Sequence, residues 1–398
     1  MSSDVPVLEG GSPVRSGDAV PFFRTELSEA DLQAVQDTLR SGWLTLGPRV
    51  HQFEVACAER LGATQALATN SCTSSLLLAL ECLDVGPGKE VIVPSMTFAS
   101  SVHTIRQLGA TPILADIEPL TMTVDPQEVA KLMSPATAAI VCVDYAGHPA
   151  LLGELNALAA DHKVALIEDA AHSFGAALDG RPVGSWADAT AFSFYATKCI
   201  TTGEGGLLTF RDDALTERAR LLGYHGMQRD AWKRYTDRGS WYYEVAAVGH
   251  KFNMTDVQAA LGLSQLQREP QLRAARADVV RRYQEAFADL EELECPQIRP
   301  GAEHAWHLYV IRLQQERLTC DRQKFSQALR EEGAVPSVHF IPYHHHPAAQ
   351  DLALRRPLVQ TDSMAASCLS LPLFPSMRED EVSDVIAAVR KLVRYYRR

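Results

Sequence analysis

From about residue 66 to residue 210, short and mainly apolar runs alternate with stretches of helical periodicity. The runs fall at 66–68, 90–93, 111–115, 138–143, 164–167, 189–194 and 206–210. Helical patterns begin between them near Thr73, Ala99, Asp125-Pro126 and Gly153. Continuously apolar strands separated by helices predict a mostly parallel seven-stranded sheet covered on both faces, because a strand wetted on one side would alternate in polarity. Such α/β sheets bind ligands beyond the carboxyl ends of their strands. Chemistry is therefore expected where these runs stop.

The flanks read differently. The first twenty residues are rich in Gly, Ser and Pro and predict an irregular lead-in. Ser28, followed three residues later by Asp31, predicts a capped helix that ends at Ser41-Gly42-Trp43, and a second helix over 48–61 stops at Gly62. Beyond 210, the stretch 223–250 is crowded with Trp, Tyr, Arg and His and predicts a loop with a functional or interface role. Helices at 255–268 and 271–290 follow. After Cys295 come a strand at 307–313, a helix at 322–332, a strand at 335–340 and a closing helix from Glu379. The chain of 398 residues thus reads as a large α/β domain, 1–270, and a smaller α+β domain, 271–398.

Composition narrows the function classes. Hydrophobic residues at 46% and charged residues at 22% suit a globular protein rather than a disordered one. The net charge of −11, spread along the chain, opposes nonspecific binding to nucleic acid, although a cleft can carry a local field of either sign. No apolar run reaches the length of a membrane span, and the opening MSSDVPVLEGG lacks a basic region followed by an apolar one. A cytoplasmic location with no membrane partner is the expectation. The eight cysteines include no C-x-x-C pair and read as small buried hydrophobes.

Three strand ends carry candidate chemistry. Lys198 follows the run at 189–194 and precedes Thr201-Thr202-Gly203-Glu204-Gly205-Gly206. An amine placed there is either a partly desolvated nucleophile or a surface lysine with a buried stem. Asp169 closes the preceding run in Glu168-Asp169-Ala170-Ala171-His172. It suits a helix N-cap, or a carboxylate that keeps the ring nitrogen of pyridoxal phosphate protonated so that the ring acts as an electron sink. The pair favours the nucleophilic amine and the carboxylate beside a ring nitrogen. The cluster 70–75, NSCTSS, opens an apolar helix and suits either plain capping or an anion site for a phosphate. Neither G-x-x-x-x-G-K-[ST] nor G-x-G-x-x-G is present, so nucleotide-triphosphate and dinucleotide readings lack their motifs.

The string SFYATKCITTGEGG resembles the Schiff-base signature of the DegT/StrS-type sugar aminotransferases, fold-type I pyridoxal-phosphate enzymes of the aspartate aminotransferase kind. SGWLTLGPRV, PSMTFASS, EDAAHSFGA, GHKFNMTDVQAALGLSQL, HAWHLYVIR and SLPLFP resemble further blocks of that family in the same order, from about Phe22 to the C-terminal helix. The resemblance implies that Lys198 is the Schiff-base lysine and proton shuttle, and that Asp169 pairs with the pyridinium nitrogen. It implies that His172 lies near the ring, that Phe98 stacks on it, and that Cys72, Thr73 and Ser193 line the phosphate. Asn253 is implied to reach the phosphate of a neighbouring subunit, making the working unit a homodimer with shared sites. A dehydratase branch carries histidine in place of the lysine, so Lys198 puts this chain with the aminotransferases.

The reaction so implied takes an amino group from L-glutamate, holds it as pyridoxamine phosphate, and passes it to a 4-keto sugar carried on UDP or dTDP, for antibiotic or polysaccharide sugars. A 3-keto sugar, a keto-cyclitol, and a non-catalytic regulator of the same fold are the alternatives. Resemblance also places HFIPYHHHP near the nucleotide sugar, making His339, Tyr343 and His344 possible substrate contacts. Arg229, in the aromatic and basic stretch, suits a diphosphate contact, while Trp232, Trp241 and Tyr242 suit packing across a dimer. His304 and His307 read as structural. No metal site is expected at His344-His345-His346, because adjacent histidines point apart and no spaced Cys or acid completes a ligand set.

Overall fold

A computed structural model describes residues 4–227 and 243–398. The helices α1 (Glu29–Ser41) and α2 (Pro48–Leu61) open the fold. α1 begins at a capping box, in which Ser28 Oγ accepts from the Asp31 amide at 3.2 Å and Asp31 Oδ2 accepts from the Ser28 amide at 2.8 Å. The alternation then runs β1 (Leu67–Thr69), α3 (Cys72–Cys82), β2 (Glu90–Pro94), α4 (Ser100–Gln107), β3 (Thr111–Ala115), α5 (Pro126–Leu132) and β4 (Thr137–Val143). It continues through α6 (Leu152–His162), β5 (Ala165–Asp169), the short β6 (Ala177–Leu178) and β7 (Arg181–Pro182), β8 (Ala189–Ser193), β9 (Gly206–Phe210) and α7 (Asp213–Leu222).

The seven longer of these strands form one sheet in the order β1-β9-β8-β5-β4-β2-β3. Its middle is parallel, while β9 runs antiparallel to both neighbours. The cause is local: the connection 194–205 contains no crossover helix, so the chain returns beside β8 in the opposite sense. Successive strand residues face opposite layers. Ile92, Ile140, Leu166, Phe192 and Leu207 pack one face, and Val91, Val141, Ile167, Ala191 and Leu208 pack the other.

The C-terminal part contains α8 (Asp256–Phe287), β10 (Leu293–Glu294), β11 (Ala302–Glu303), β12 (Tyr309–Leu313), α9 (Arg322–Glu331), α10 (Val359–Ser367), β13 (Cys368–Leu371) and α11 (Glu379–Tyr396). β12 lies between β10 and β13, antiparallel to each, and α8, α9 and α11 supply Tyr283, Phe287, Phe325, Val385 and Leu392 to a second core. The lead-in packs there too, with Val20 bridging Ala334. Among the described residues, no helix is long and apolar enough to cross a membrane.

Two expected elements differ. The helices at 255–268 and 271–290 are one helix, α8, with Pro270 inside it. A proline removes one backbone hydrogen bond and bends a helix, but anchors on both sides of it offset that cost. Gln265 and Arg268 each donate to Asp31 at 2.8 Å, Arg60 pairs with Glu269 at 2.7 Å, and Val279 and Tyr283 are buried in the second core. The division expected at 270 falls inside this helix. The strand expected at 335–340 is reduced to single bridges, Val20 with Ala334 and Ser337 with Ser370, because Pro336 has no N–H to lend a ladder.

Candidate active site

The carboxyl edge of the sheet gathers the predicted residues. β5 ends on Asp169, level with Val143 of β4 and Ala191 of β8. Its carboxylate is 4% exposed and collects donors from three segments. Ser101 Oγ reaches Oδ2 at 2.6 Å, the Ala171 amide reaches Oδ1 at 3.2 Å, and Cys72 Sγ lies 3.9 Å from Oδ1. Burial pushes the carboxyl up, and the Ser101 and Ala171 hydrogen bonds with the Lys198 ammonium pull it back.

Lys198 sits, half-buried, in the connection between β8 and β9. Arg276, itself buried, donates to the carbonyls of Lys198 at 3.3 Å and Cys199 at 3.2 Å and so fixes that backbone. Burial lowers the Lys198 amine below its ordinary range, and the Asp169 carboxylate opposes it. Cys72 adds no charge at neutral pH, because burial holds its thiol far above the usual range. The result is an amine readily made neutral, hence nucleophilic, beside a carboxylate.

His172 is buried, and its Nδ1 accepts from the Ala146 amide at 3.2 Å, which leaves Nε2 as the protonated nitrogen of the neutral ring. Burial, then Lys198 and His339, holds its pKa well below the ordinary value, so the ring is neutral. Its centroid lies 5.8 Å from Phe340 and 4.4 Å from His307. Phe98 follows β2 and is 62% exposed, 6.0 Å from Phe340. Few phenyl rings are left so bare beside buried polar groups. The wall offers an aromatic face to a planar ligand.

At the neighbouring strand end, α3 begins at Cys72. Ser71 caps it by accepting from the Ser74 amide at 3.1 Å, while the Cys72 and Thr73 amides belong to the open end of the helix. Thr73 is exposed there. Gly206 opens β9 against this turn, and a Cβ on it would stand 2.6 Å from the Cys72 nitrogen, so only glycine lets strand and helix start meet. Ser193 ends β8 opposite Gly206. Asn253 bridges Thr69 of its own chain, with Nδ2 donating to the Met254 carbonyl at 3.0 Å.

The weaker candidates divide. His339 joins the site, stacked 5.2 Å from Phe22 and 2.9 Å from Ser370 Oγ, with its pKa pushed down to about 4 by burial and by Lys198. Tyr343 is buried at 1% exposure against His103, and His344 is engaged by Ser95 and Asp362. Arg229, Trp232, Trp241 and Tyr242 lie outside the described residues. The histidine run corrects one premise. His344 and His345 converge, each with Nε2 2.9 Å from Asp362 Oδ1, and only His346 turns away, toward the Ile341 carbonyl. The acid missing from the linear spacing comes from α10.

Ser101, Phe340, Arg276 and the ring of His307 were not among the predicted site residues. Ser101 had a signal: it closes the PSMTFASS block, three residues after Phe98. The others come from the second core or its loop, and local pattern offers no sign of them.

Residues 25–390 match the DegT/DnrJ/EryC1/StrS aminotransferase family. The chain is 43% identical over 378 residues to the spore coat polysaccharide biosynthesis protein SpsC of Bacillus subtilis, covering 94% of this chain and 97% of that one. The PLP form of Spr1654 from Streptococcus pneumoniae, described as a sugar aminotransferase, superposes with a TM-score of 0.88 at 30% identity, covering 95% of this chain and 99% of that one. DesI, solved in the presence of its TDP-sugar product, superposes with a TM-score of 0.86 at 30% identity, covering 98% and 96%. The sheet edge, its lysine and its carboxylate therefore sit in a fold shared along nearly the whole chain, and this chain belongs to the DegT/DnrJ/EryC1/StrS aminotransferase family, as a sugar aminotransferase.

Proposed function

We propose that the protein transfers the amino group of L-glutamate to a 4-keto sugar carried on UDP or dTDP, with pyridoxal phosphate bound at the carboxyl edge of the sheet. The observation that carries this reading is the buried Asp169 carboxyl and the Lys198 amine at one sheet edge, each shifting the other's pKa, with Phe98 left exposed at the end of the neighbouring strand. The donor set fits the group: a buried carboxylate for a ring nitrogen, a bare aromatic face for the ring, and a helix start opposed by Gly206 for the phosphate. When bound, the cofactor supplies an electron sink and, as pyridoxamine phosphate, a store for the amino group between half-reactions.

The residues divide the remaining work. Lys198 would hold the cofactor covalently and, once displaced, carry the proton between its carbon and that of the substrate. Asp169, whose oxygens accept from Ser101 and the Ala171 amide, would stabilise a protonated ring nitrogen. His172 would present its Nε2–H to the ring's polar edge, and Phe98 would stack on its face. The Cys72 and Thr73 amides, the Ser193 hydroxyl and Asn253 of the partner subunit would hold the phosphate. The TDP-sugar product of DesI supports a nucleotide-linked substrate.

The test is purified protein incubated with glutamate and a set of UDP- and dTDP-linked keto sugars, with products identified by mass. An amino sugar from a 4-keto substrate is the expected result. Absence of any amino sugar, or product formation undiminished in Lys198→Ala, would sink the proposal.

A further inference from the structure

Outside the cleft, one cluster has the makings of a metal site. His344 Nε2, His345 Nε2 and an Asp362 carboxylate oxygen lie within 4.8 Å of one another. Both Nε2 atoms lie 2.9 Å from the same atom, Asp362 Oδ1, and the His344 contact has hydrogen-bond geometry. A tetrahedral dication about 2.0–2.2 Å from each of three ligands needs those atoms roughly 3–4 Å apart, so small rotations of exposed side chains suffice.

Supports behind two of the ligands make this more than a chance surface contact. His344 is 11% exposed, and its Nδ1 lies 2.7 Å from Ser95 Oγ, which also accepts from the His344 amide at 3.2 Å. With a cation on Nε2, the ring proton sits on Nδ1 and is donated to that hydroxyl, the outer-shell bond that orients a metal-binding histidine. Asp362 lies in the first turn of α10, whose start is pinned by Asp116. The Asp116 carboxylate accepts from the Gln360 amide at 2.9 Å, the Thr361 amide at 2.8 Å and Thr361 Oγ1 at 2.8 Å. Ser95 and Asp116 both follow the carboxyl ends of adjacent parallel strands, β2 and β3, so the framework is rigid. His345 is 45% exposed, and Asp362 is the side-chain partner found for it.

We infer that His344, His345 and Asp362 bind a divalent cation of the zinc class, with water in the fourth position. Two imidazole nitrogens and one carboxylate oxygen select zinc, cobalt or nickel over magnesium and calcium. Such an ion ties the loop 339–346 to α10. His339 and Phe340, which wall the cleft, belong to that loop, so the ion acts as a clip on one side of the active site.

The test uses the untagged full chain with its cofactor, freed of metal and titrated with Co²⁺ by visible absorption and with Zn²⁺ by calorimetry. One equivalent per chain is expected, with a tetrahedral Co²⁺ spectrum and a zinc-dependent rise in melting temperature. His345→Ala and Asp362→Asn, both at exposed positions, are each expected to weaken binding at least about tenfold and abolish that rise, while melting like the parent without metal. Binding as strong as the parent's in both variants, or no saturable binding by the parent, overturns the inference. An altered metal-free melt in one variant leaves the other, and the Co²⁺ spectrum of the parent, to decide.

Discussion

Glu168 and Asp169 are consecutive residues of β5, both buried, and burial pushes both carboxyls up. Strand geometry sends them to opposite sides, and their surroundings then diverge. Glu168 Oε2 accepts from Thr190 Oγ1 at 2.9 Å and the Gly184 amide at 3.4 Å, but Oε1 has no donor among the described residues and stands by Asp144. Asp144 accepts from Ser173 Oγ at 2.6 Å and the Ala150 amide at 2.8 Å, yet burial raises its pKa to about 7. Two carboxyls so placed are relieved by sharing one proton. Asp169 has a donor on each oxygen and an ammonium nearby. Burial beside a second carboxyl, with one oxygen left undonated, thus makes a proton-sharing structural pair; burial with a donor on each oxygen and an ammonium nearby favours the charged form.

The sharpest way to break this comparison is to remove the ammonium. Lys198→Ala is expected to lower the transamination rate by about 10⁴-fold or more, with the fold retained, as followed by product mass and circular dichroism. Asp169→Asn, which keeps the shape and removes the charge, is expected to cost on the order of 10²–10³-fold in kcat. Glu168→Gln, the same change one residue earlier, is expected to leave kcat within about threefold. Equal losses at the two positions would erase the distinction.

Smaller changes refine it. Ser101→Ala removes one hydrogen bond to a buried charge, expected to be worth about 1.5–3 kcal/mol. Because that bond lowers the Asp169 pKa, its loss raises it, and the acid limb of the pH–rate profile is expected to move to higher pH. The least effect on turnover and the clearest on stability come from the shared proton. A carboxyl whose folded pKa is raised stabilises the fold while protonated and loses that contribution as pH climbs through its folded value. Stability against urea is therefore expected to fall between about pH 4 and about pH 7, and Glu168→Gln to flatten that slope.

Much of the frame was legible in the sequence. The apolar runs correspond to strands of the central sheet, and Lys198, Asp169, Ser193 and Cys72 all lie at its carboxyl edge, because strand ends are marked by a local change of polarity. The direction of β9 was not legible, since periodicity carries no sign of parallel or antiparallel pairing. The two helices expected at 255–268 and 271–290 are one, because packing on both sides carries the helix through Pro270. Phe340 and Arg276 reach the cleft from segments far along the chain, where neither spacing nor polarity reports a contact.

The sequence by itself determined the strands, the strand ends and the residue types placed on them, because these follow from short-range alternation and from which side chains can hold charge or act as nucleophiles. Only the tertiary structure decided which groups meet. Ser101 reaches Asp169 because α4 starts beside β5's end, and Asp362 reaches His344 because Asp116 pins α10 against the sheet. Such meetings depend on chain closure over long separations, and no local pattern encodes them. The same closure separates the Asp169 carboxyl, with a donor on each oxygen, from the Glu168 carboxyl beside Asp144, although the two are neighbours in the chain.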